Sequence, residues 1–428
     1  MKELYTTEIK PKRAFLVGIR DNAVPRNEAD SLTRELAGLA ETLGLDIAGQ
    51  ETVHIRENHS QYAMGAGKAQ ELADKAAELG ADCLVFDRDI SPSQQRNWEK
   101  LSGISAVDRQ ELIIQIFAGR AKTREAELQV ALAELLYSLP RLSHKYIDLS
   151  RQRGGRYGTK GSGETRLETD RRLVQQRIFK LKQELIGVRK HRAVQRKKRE
   201  KTAIPSCALV GYTNAGKSSL FKALTAADVL VEDKLFATLD PAVRLLPGKS
   251  LTLIDTVGFI RRLPHNLVDA FRSTLEEVSR ADALIHVLDA SDPDADHYTR
   301  AVLSVLRDLG ADTIPLITVL NKTDLLDHSA GPSTNTLGEL QKRYPGSIAL
   351  SAKNRTGLDE LVRAMEELLS APLTRFRFPP DRHDLAALVH RSGTVVSEQY
   401  EDSGIEMEAR VEKGAAERLS AFAVLDEK

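Results

Sequence analysis

The residues Gly211-Tyr-Thr-Asn-Ala-Gly216-Lys217-Ser218 follow directly on the apolar run Cys207–Val210 and lead into the helix-like stretch Ser219–Leu224. A strand that ends in such a turn and restarts as a helix leaves few folds open. Its glycines let the backbone curl, and its N–H groups point inward around an anion at the helix start. In that setting Lys217 meets the β- and γ-phosphates of a nucleotide, and the Ser218 hydroxyl takes Mg²⁺. The expected phosphate contacts are Gly211, Tyr212, Thr213, Asn214, Ala215, Gly216, Lys217, Ser218 and Ser219. So short a pattern also fits a plain glycine turn, and the residues downstream decide between the two.

Three further segments each end a short apolar run. Asp255-Thr256-Val257-Gly258 closes Leu251–Ile254, which puts Asp255 in or near the Mg²⁺ shell and the Gly258 N–H near the γ-phosphate. Asn321-Lys322-Thr323-Asp324 closes Leu316–Leu320. A carboxylate there accepts from N1–H and the exocyclic amine of guanine, which adenine cannot offer in that place. Lys322 would cover the ring, and Asn321 would tie this loop to the phosphate loop. Ser351-Ala352-Lys353 follows Ser347–Leu350, and the Ala352 N–H would donate to guanine O6. Between the first two motifs stands Phe236-Ala237-Thr238-Leu239-Asp240, where Thr238 suits a switch closing over Mg²⁺ and the γ-phosphate. Thr225 comes too soon, inside the first helix. The ordered set predicts a GTP-binding, GTP-hydrolysing domain over residues 203–370, built on a doubly wound, mostly parallel sheet.

Lys217, Thr238 and Gly258 are the expected catalytic groups. Phe259 stands where many small GTPases carry a water-orienting glutamine, so a low intrinsic rate with stimulation by a partner is expected. Asn214 either helps hold a monovalent cation such as K⁺ against the phosphates or stabilises the loop.

A chain of 428 residues is long enough for two or three cores. Residues 1–120 alternate strand-like and helix-like patterns: Arg13–Ile19, Asn27–Leu43, Leu45–Val53, Ala69–Leu79 and Cys83–Phe86. That predicts a small α/β domain. From Glu111 the pattern becomes one long helix, with Leu128, Leu132, Leu135 and Leu139, punctuated by Pro140. A second helix is expected from about Thr165 to Arg199. Residues 121–200 thus form a helical hairpin around the basic glycine-rich loop 153–163. A Pro-containing stretch, Ala371–Pro380, leads to a small α+β unit over 371–428, with Asp384–His390 as helix and Thr394–Tyr400 and Ile405–Val411 as strands.

Net charge is +1, but residues 151–201 alone hold 18 Lys+Arg against 5 Asp+Glu, which leaves −12 for the rest. Such concentration suggests a polyanion contact at one place. Arg153, Arg156, Lys160 and Arg166 are the candidate RNA-binding cations, with Tyr157 placed to stack on a base. The bland alternative is a solvated helix face. No apolar run is long enough for a membrane span, and the N-terminus has no signal-type segment. Two cysteines, Cys83 and Cys207, read as buried thiols, so a cytoplasmic protein without a membrane partner is expected.

The run Gly161-Ser-Gly-Glu164-Thr-Arg-Leu-Glu168-Thr-Asp170-Arg171-Arg172 resembles the hallmark of the HflX family of translational GTPases. Tyr62-Ala-Met-Gly65-Ala-Gly67-Lys68, the stretch Asp108-Arg109 to Ile116-Phe117-Ala118, Leu235-Phe-Ala-Thr238-Leu-Asp240-Pro and Phe259 are similar to that family as well. The resemblance spans roughly residues 10 to 370. It implies a GTPase that binds the large ribosomal subunit and its rRNA, as a monomer there, and helps dissociate stalled or idle ribosomes. It also implies that the loop between the helices reaches rRNA near the peptidyl transferase centre. The alternative is a GTP-gated assembly or regulatory factor without splitting activity. A tRNA-modifying GTPase of the MnmE kind shares the phosphate-loop asparagine but ends in a reactive cysteine, whereas no cysteine follows Cys207. Gly65–Lys68 reads either as an anion nest, the family having been discussed as carrying a second nucleotide activity here, or as a structural turn. Glu164, Glu168 and Asp170 fit helix-start capping and i,i+4 pairing better than paired catalytic carboxylates.

Overall fold

The computed structural model describes residues 13–152, 162–200, 204–225, 235–236, 241–261, 277–326, 337–370, 373–401, 403–411 and 413–424. Within 143–152, 162–167 and 189–200, and at residues 373, 394, 413, 414 and 417, only the backbone is described.

The first unit is a parallel sheet in the order β2-β1-β3-β4. Its elements are β1 (Arg13–Arg20), α1 (Arg26–Thr42), β2 (Asp46–His54), α2 (Ala66–Glu78), β3 (Cys83–Phe86), α3 (Pro92–Ser102) and β4 (Ser105–Asp108). Strand β1 sends Ala14 and Leu16 into one core with Leu36 and Leu39 of α1, and Phe15 and Val17 into another with Leu72, Leu84 and Trp98. Burial on both faces explains why these strands read as unbroken apolar runs rather than alternating ones. Cys83 and Cys207 are both buried, and burial pushes each thiol up to about 12.

Two sequence expectations fail in the helical part. In place of one long helix from Glu111 there are two, α4 (Arg109–Arg120) and α5 (Arg124–Gln152). The break is capped by the Thr123 hydroxyl, which accepts from Ala126 N at 3.2 Å. Pro140 does not end a helix; it lies inside α5. A proline removes one N–H from the ladder, and strong anchoring beside it holds the helix together. Arg141 donates to the Tyr137 carbonyl (3.1 Å), the Ile90 carbonyl (3.0 Å) and Asp108 Oδ2 (2.9 Å), with its guanidinium 3.5 Å from the Tyr137 ring centre. Helix α6 (Ser162–Glu200) returns along α5 through a seam of Leu128, Leu132, Val174, Ile178, Leu181 and Leu185. Among the described residues, no helix is long and apolar enough to cross a membrane.

The third unit carries β5 (Ser206–Gly211), α7 (Lys217–Thr225), β6 (Ala242–Leu245), β7 (Thr252–Asp255), β8 (Ala283–Asp289), α8 (Ala295–Asp308), β9 (Leu316–Asn321), α9 (Leu337–Arg343), β10 (Ile348–Ala349) and α10 (Leu358–Leu369). The sheet order is β10-β9-β8-β5-β7-β6, parallel except for β6 against β7. In such a sheet the loops at the carboxyl ends of the strands form the ligand crevice. Here those ends are Gly211, Asp255, Asp289 and Asn321.

The last unit is antiparallel, ordered β12-β13-β11-β14. It comprises β11 (Leu373–Phe378), α11 (His383–Ser392), β12 (Gly393–Glu401), β13 (Gly404–Val411), α12 (Lys413–Leu419) and β14 (Ala423–Val424). The stretch read as a lead-in, Ala371–Pro380, contains β11. Phe376 and Phe378 face the core, while Arg375 and Arg377 pair with Glu406. That alternation is what a half-buried strand requires.

Candidate guanine-nucleotide site

The phosphate loop is held in shape by backbone conformations that only certain residues tolerate. Gly211 has φ +153°, and a Cβ there would collide with the Val287 carbonyl. Gly216 has φ +90°, and a Cβ there would collide with the Asn321 amide. Asn214 also sits in the left-handed region, at φ +61°, a conformation asparagine accepts better than most residues. It lines a cavity of about 210 Å³ between the loop and α1, beside Glu35, Leu235 and Asp289.

Lys217 opens α7 and is buried, with Nζ donating to the Tyr212 carbonyl at 2.7 Å. Burial holds its pKa down to about 8, against the pull of the Asp255 charge. Next to it, the Ser218 hydroxyl donates to Asp255 Oδ2 at 2.8 Å. Asp255 is fully buried at the end of β7, and the following Thr256 hydroxyl donates to the Leu209 carbonyl at 2.5 Å, locking β7 to β5. Gly258 lies against this group: a Cβ on it would be 2.9 Å from Lys217 Nζ and 2.8 Å from Thr213 Cγ2. Phe259 then binds back to the loop, its N–H donating to Gly211 O (3.0 Å) and its carbonyl accepting from Thr213 N (2.8 Å). Its ring is buried in the core with Val257 and Ile260.

The two loops expected to read the base meet on Asn321, which is 1% exposed. Its Nδ2 donates to the Ala215 carbonyl at 2.9 Å, and its Oδ1 accepts from Ala352 N at 3.1 Å. One amide thus fastens the phosphate loop to both of these loops. Ala352 N–H, expected at guanine O6, is engaged by Asn321 instead. Asp324 Oδ1 accepts from the Ser351 hydroxyl at 2.5 Å, and Thr323 N donates to the Leu350 carbonyl at 3.3 Å. Lys322 has φ +61° and pairs with Asp289 at 2.7 Å. Lys353 follows Ala352 at the rim, exposed.

Phe236, expected at the nucleotide, is 2% exposed and packs edge-on against Phe117 of α4 at 4.6 Å. A large apolar ring gains more from that core than from a polar cleft. Thr238, with Ala237, Leu239 and Asp240, lies outside the described residues, as do Arg153, Arg156, Tyr157, Lys160 and the side chain of Arg166. Gly65 precedes α2 as its N-cap, and the Lys68 ammonium is taken by Glu51 (2.6 Å) and Glu71 (2.8 Å). Thr225 ends α7 with its hydroxyl on the Phe221 carbonyl.

A buried ionic group between the first unit and the nucleotide loops was not foreseen from the sequence. Glu35 of α1 pairs with Arg109, which also binds Asp87 at 3.1 Å. Glu35 Oε2 accepts from the Tyr212 hydroxyl (2.6 Å) and from Arg261 Nε (3.0 Å). The one available sign was a glutamate inside the apolar stripe Leu32, Leu36, Leu39.

Known proteins match this arrangement along the chain. Family descriptions match in order: GTP-binding GTPase N-terminal over residues 30–118, GTP-binding GTPase middle region over 120–199, and 50S ribosome-binding GTPase over 206–322. GTPase HflX of Akkermansia muciniphila is 44% identical over 424 residues, covering 96% of this chain and 97% of that protein. GTPase HflX of Escherichia coli is 39% identical over 376 residues, covering 87% of each. Among solved structures, a GTP-binding protein from Sulfolobus solfataricus in complex with GDP aligns with a TM-score of 0.44 at 25% identity, over 83% of this chain and 98% of that one. Sharing two-fifths of its residues with relatives over nearly their whole length, the chain belongs to the HflX family of GTPases.

Proposed function

We propose that the loops at Gly211–Ser218, Asp255–Gly258, Asn321–Asp324 and Ser351–Lys353 hold one guanine nucleotide, and that its hydrolysis times binding to and release from the large ribosomal subunit. The observation that carries this reading is Asn321: a single buried amide bonded to Ala215 and Ala352 brings the phosphate and base loops to one crevice. Asp324 would then select guanine by accepting from N1–H and the amine.

The Ser218 hydroxyl and Asp255 carboxylate, 2.8 Å apart, are hard oxygen donors of the kind Mg²⁺ takes, with Thr238 as the proposed further ligand. Bound there, Mg²⁺ would neutralise charge developing on the phosphates. Lys217 would place its ammonium on the β- and γ-phosphates, and the Gly258 N–H would hold the γ-phosphate. With the Phe259 ring in the core, no side chain at that position orients water, so turnover is slow until the ribosome supplies the missing help. K⁺ held by Asn214 would add positive charge at the same place.

Arg153, Arg156, Tyr157, Lys160 and Arg166 are the proposed rRNA contacts, supported by the +13 charge of residues 151–201. The ribosome-binding description of the family matched by residues 206–322 supports the same partner. The activity would be cytoplasmic dissociation of stalled or idle ribosomes by a monomer.

Calorimetry with GDP, GTP and ATP in Mg²⁺ buffer tests the site: heat with guanine nucleotides alone is expected, and none with GDP or GTP rejects it. Co-sedimentation with purified subunits tests the partner. Binding should depend on the nucleotide and weaken when Arg153, Arg156 and Lys160 become alanine. Light scattering of 70S particles separates the two roles: loss of scattering with a non-hydrolysable GTP analogue means splitting, and unchanged scattering means an assembly or regulatory role.

A further inference from the structure

Four residues of α1, namely Ser31, Glu35, Gly38 and Thr42, fall at i, i+4, i+7 and i+11, which is one stripe of a helix. Each meets a loop of the nucleotide-binding unit. Ser31 Oγ accepts from Arg261 Nη2 at 2.8 Å. Glu35 holds Tyr212 and Arg261. Gly38 lies under Leu235, where a Cβ would come within 3.4 Å of Cδ1, and Thr42 Oγ1 accepts from Leu235 N at 3.2 Å. Tyr212 belongs to the phosphate loop, and Arg261 lies three residues past Gly258. Leu235 lies three residues before Thr238.

The strongest part of this contact is a buried relay. Arg261 N–H donates to the Tyr212 hydroxyl at 2.8 Å, and that hydroxyl donates to Glu35 Oε2 at 2.6 Å. Arg109, itself 2% exposed, fixes the other carboxylate oxygen and donates to the Arg261 carbonyl at 3.2 Å. Tyr212 stacks on Tyr298 at 4.0 Å, so its ring has little freedom. The segment after Gly258 is therefore moored to α1 through the phosphate-loop tyrosine.

That mooring keeps Gly258 close to Lys217, so close that a Cβ added to it would come within 2.9 Å of Nζ. A γ-phosphate oxygen bridging an ammonium and an amide needs two hydrogen bonds, which set the nitrogens roughly 5 Å apart. Room for a third phosphate here comes from outward movement of Gly258 as the Lys217 ammonium leaves the Tyr212 carbonyl, whereas GDP makes no such demand. We infer that Glu35 is a positioning residue for the GTPase site, acting through Tyr212 and Arg261 to hold the segment after Gly258 inward and so set the preference for GDP over GTP. By reciprocity, anything that draws α1 away from the loops favours GTP.

The inference rests on the proposed nucleotide site, and the test separates the two. Affinities for GDP and for a non-hydrolysable GTP analogue are measured on the full chain by calorimetry. Tyr212→Phe deletes the relay's hydroxyl and leaves every charge paired; it should raise the ratio of analogue affinity to GDP affinity about fivefold, one hydrogen bond's worth. Glu35→Ala should do at least as much but leaves Arg109 buried without this partner, so its Tm is recorded alongside. Glu35→Gln, which keeps one acceptor for the tyrosine but turns an amide donor toward Arg109, should fall between the parent and Glu35→Ala. Combining Tyr212→Phe with Glu35→Ala should add nothing to the larger single effect, since both cut one relay. Arg26→Ala, which removes only an exposed pair with Asp30 on the same helix, serves as control and leaves the ratio as it is. A lowered Tm with an unchanged ratio in folded Tyr212→Phe would mean a merely structural contact and overturns the inference. Absence of GDP binding by the parent chain rejects the nucleotide site itself.

Discussion

Lys68 and Lys217 occupy similar places in two similar parallel sheets. Each stands near the start of a helix that follows a glycine-containing turn, and their surroundings are opposite. Lys68 lies between Glu51 and Glu71, whose carboxylates raise its pKa. Lys217 is buried with its ammonium on a carbonyl, and burial brings its pKa down to about 8. An ammonium already neutralised twice has nothing left for a phosphate, and one that burial strains toward losing its proton gains most from an arriving anion. This favours the structural-turn reading of Gly65–Lys68 over the anion nest. It also shows why a shared architecture does not imply a shared activity.

The largest test of that contrast is Lys217→Ala, which should slow single-turnover GTP hydrolysis by roughly 100-fold or more, the scale for losing a charge aimed at the reacting phosphate. A smaller loss would mean the lysine's seat on the Tyr212 carbonyl is its resting role. Asp324→Asn should weaken GDP by about 100-fold, because an amide donor then faces guanine's own donors, while xanthosine diphosphate gains in calorimetric competition.

The pH dependence comes from the same lysine. Its pKa in the protein is lowered, so between about pH 8 and the ordinary lysine value the free protein lacks the proton that phosphate needs. Nucleotide affinity should then fall above pH 8, by up to about tenfold per pH unit, with proton uptake on binding. Titrations at pH 8.5 in two buffers of different ionisation enthalpy measure that uptake, and equal heats would refute it.

A half-buried carboxylate extends the comparison with the sign reversed. Glu111 is raised to about 7 by burial and by the Asp108 charge, while the Tyr137 hydroxyl, 2.9 Å away, pulls it down. The folded protein holds this proton where the unfolded chain has lost it. Its stabilising effect is whole below pH 4.5 and is lost as pH rises toward about 7. Glu111→Gln should flatten that slope, by something on the order of 1–2 kcal/mol once Asp108 and Arg141 share the titration. Denaturant melts from pH 5 to 8 would show it. Smallest of all, Lys68→Ala should leave nucleotide affinity and hydrolysis unchanged, and a clear loss would revive the anion nest.

The meeting of the loops at Gly211–Ser218, Asn321–Asp324 and Ser351–Lys353 was legible in the sequence because strand ends, glycines and polar triplets are local signals with strict geometric roles. What was hidden depends on distance along the chain. Glu35 and Tyr212 are 177 residues apart, and no local pattern says that one will hold the other. Phe236 read as part of a polar switch because its partner, Phe117, belongs to another unit. Strand β11 was missed although Phe376 and Phe378 alternate with arginines, since the nearby prolines drew the reading toward a linker. Pro140 misled in the same way: a rule about isolated helices gave way to the fastening of Arg141 on Asp108.

That fastening has a mechanical consequence. Helix α5 has 29 residues, a rod of about 44 Å, and it is pinned near its middle, at Tyr137 and Arg141. A tilt of about five degrees about that pin would carry the outer end, about 20 Å away, sideways by about 2 Å. Small adjustments at the base of such a lever are magnified at its outer end, with no bending of the rod required.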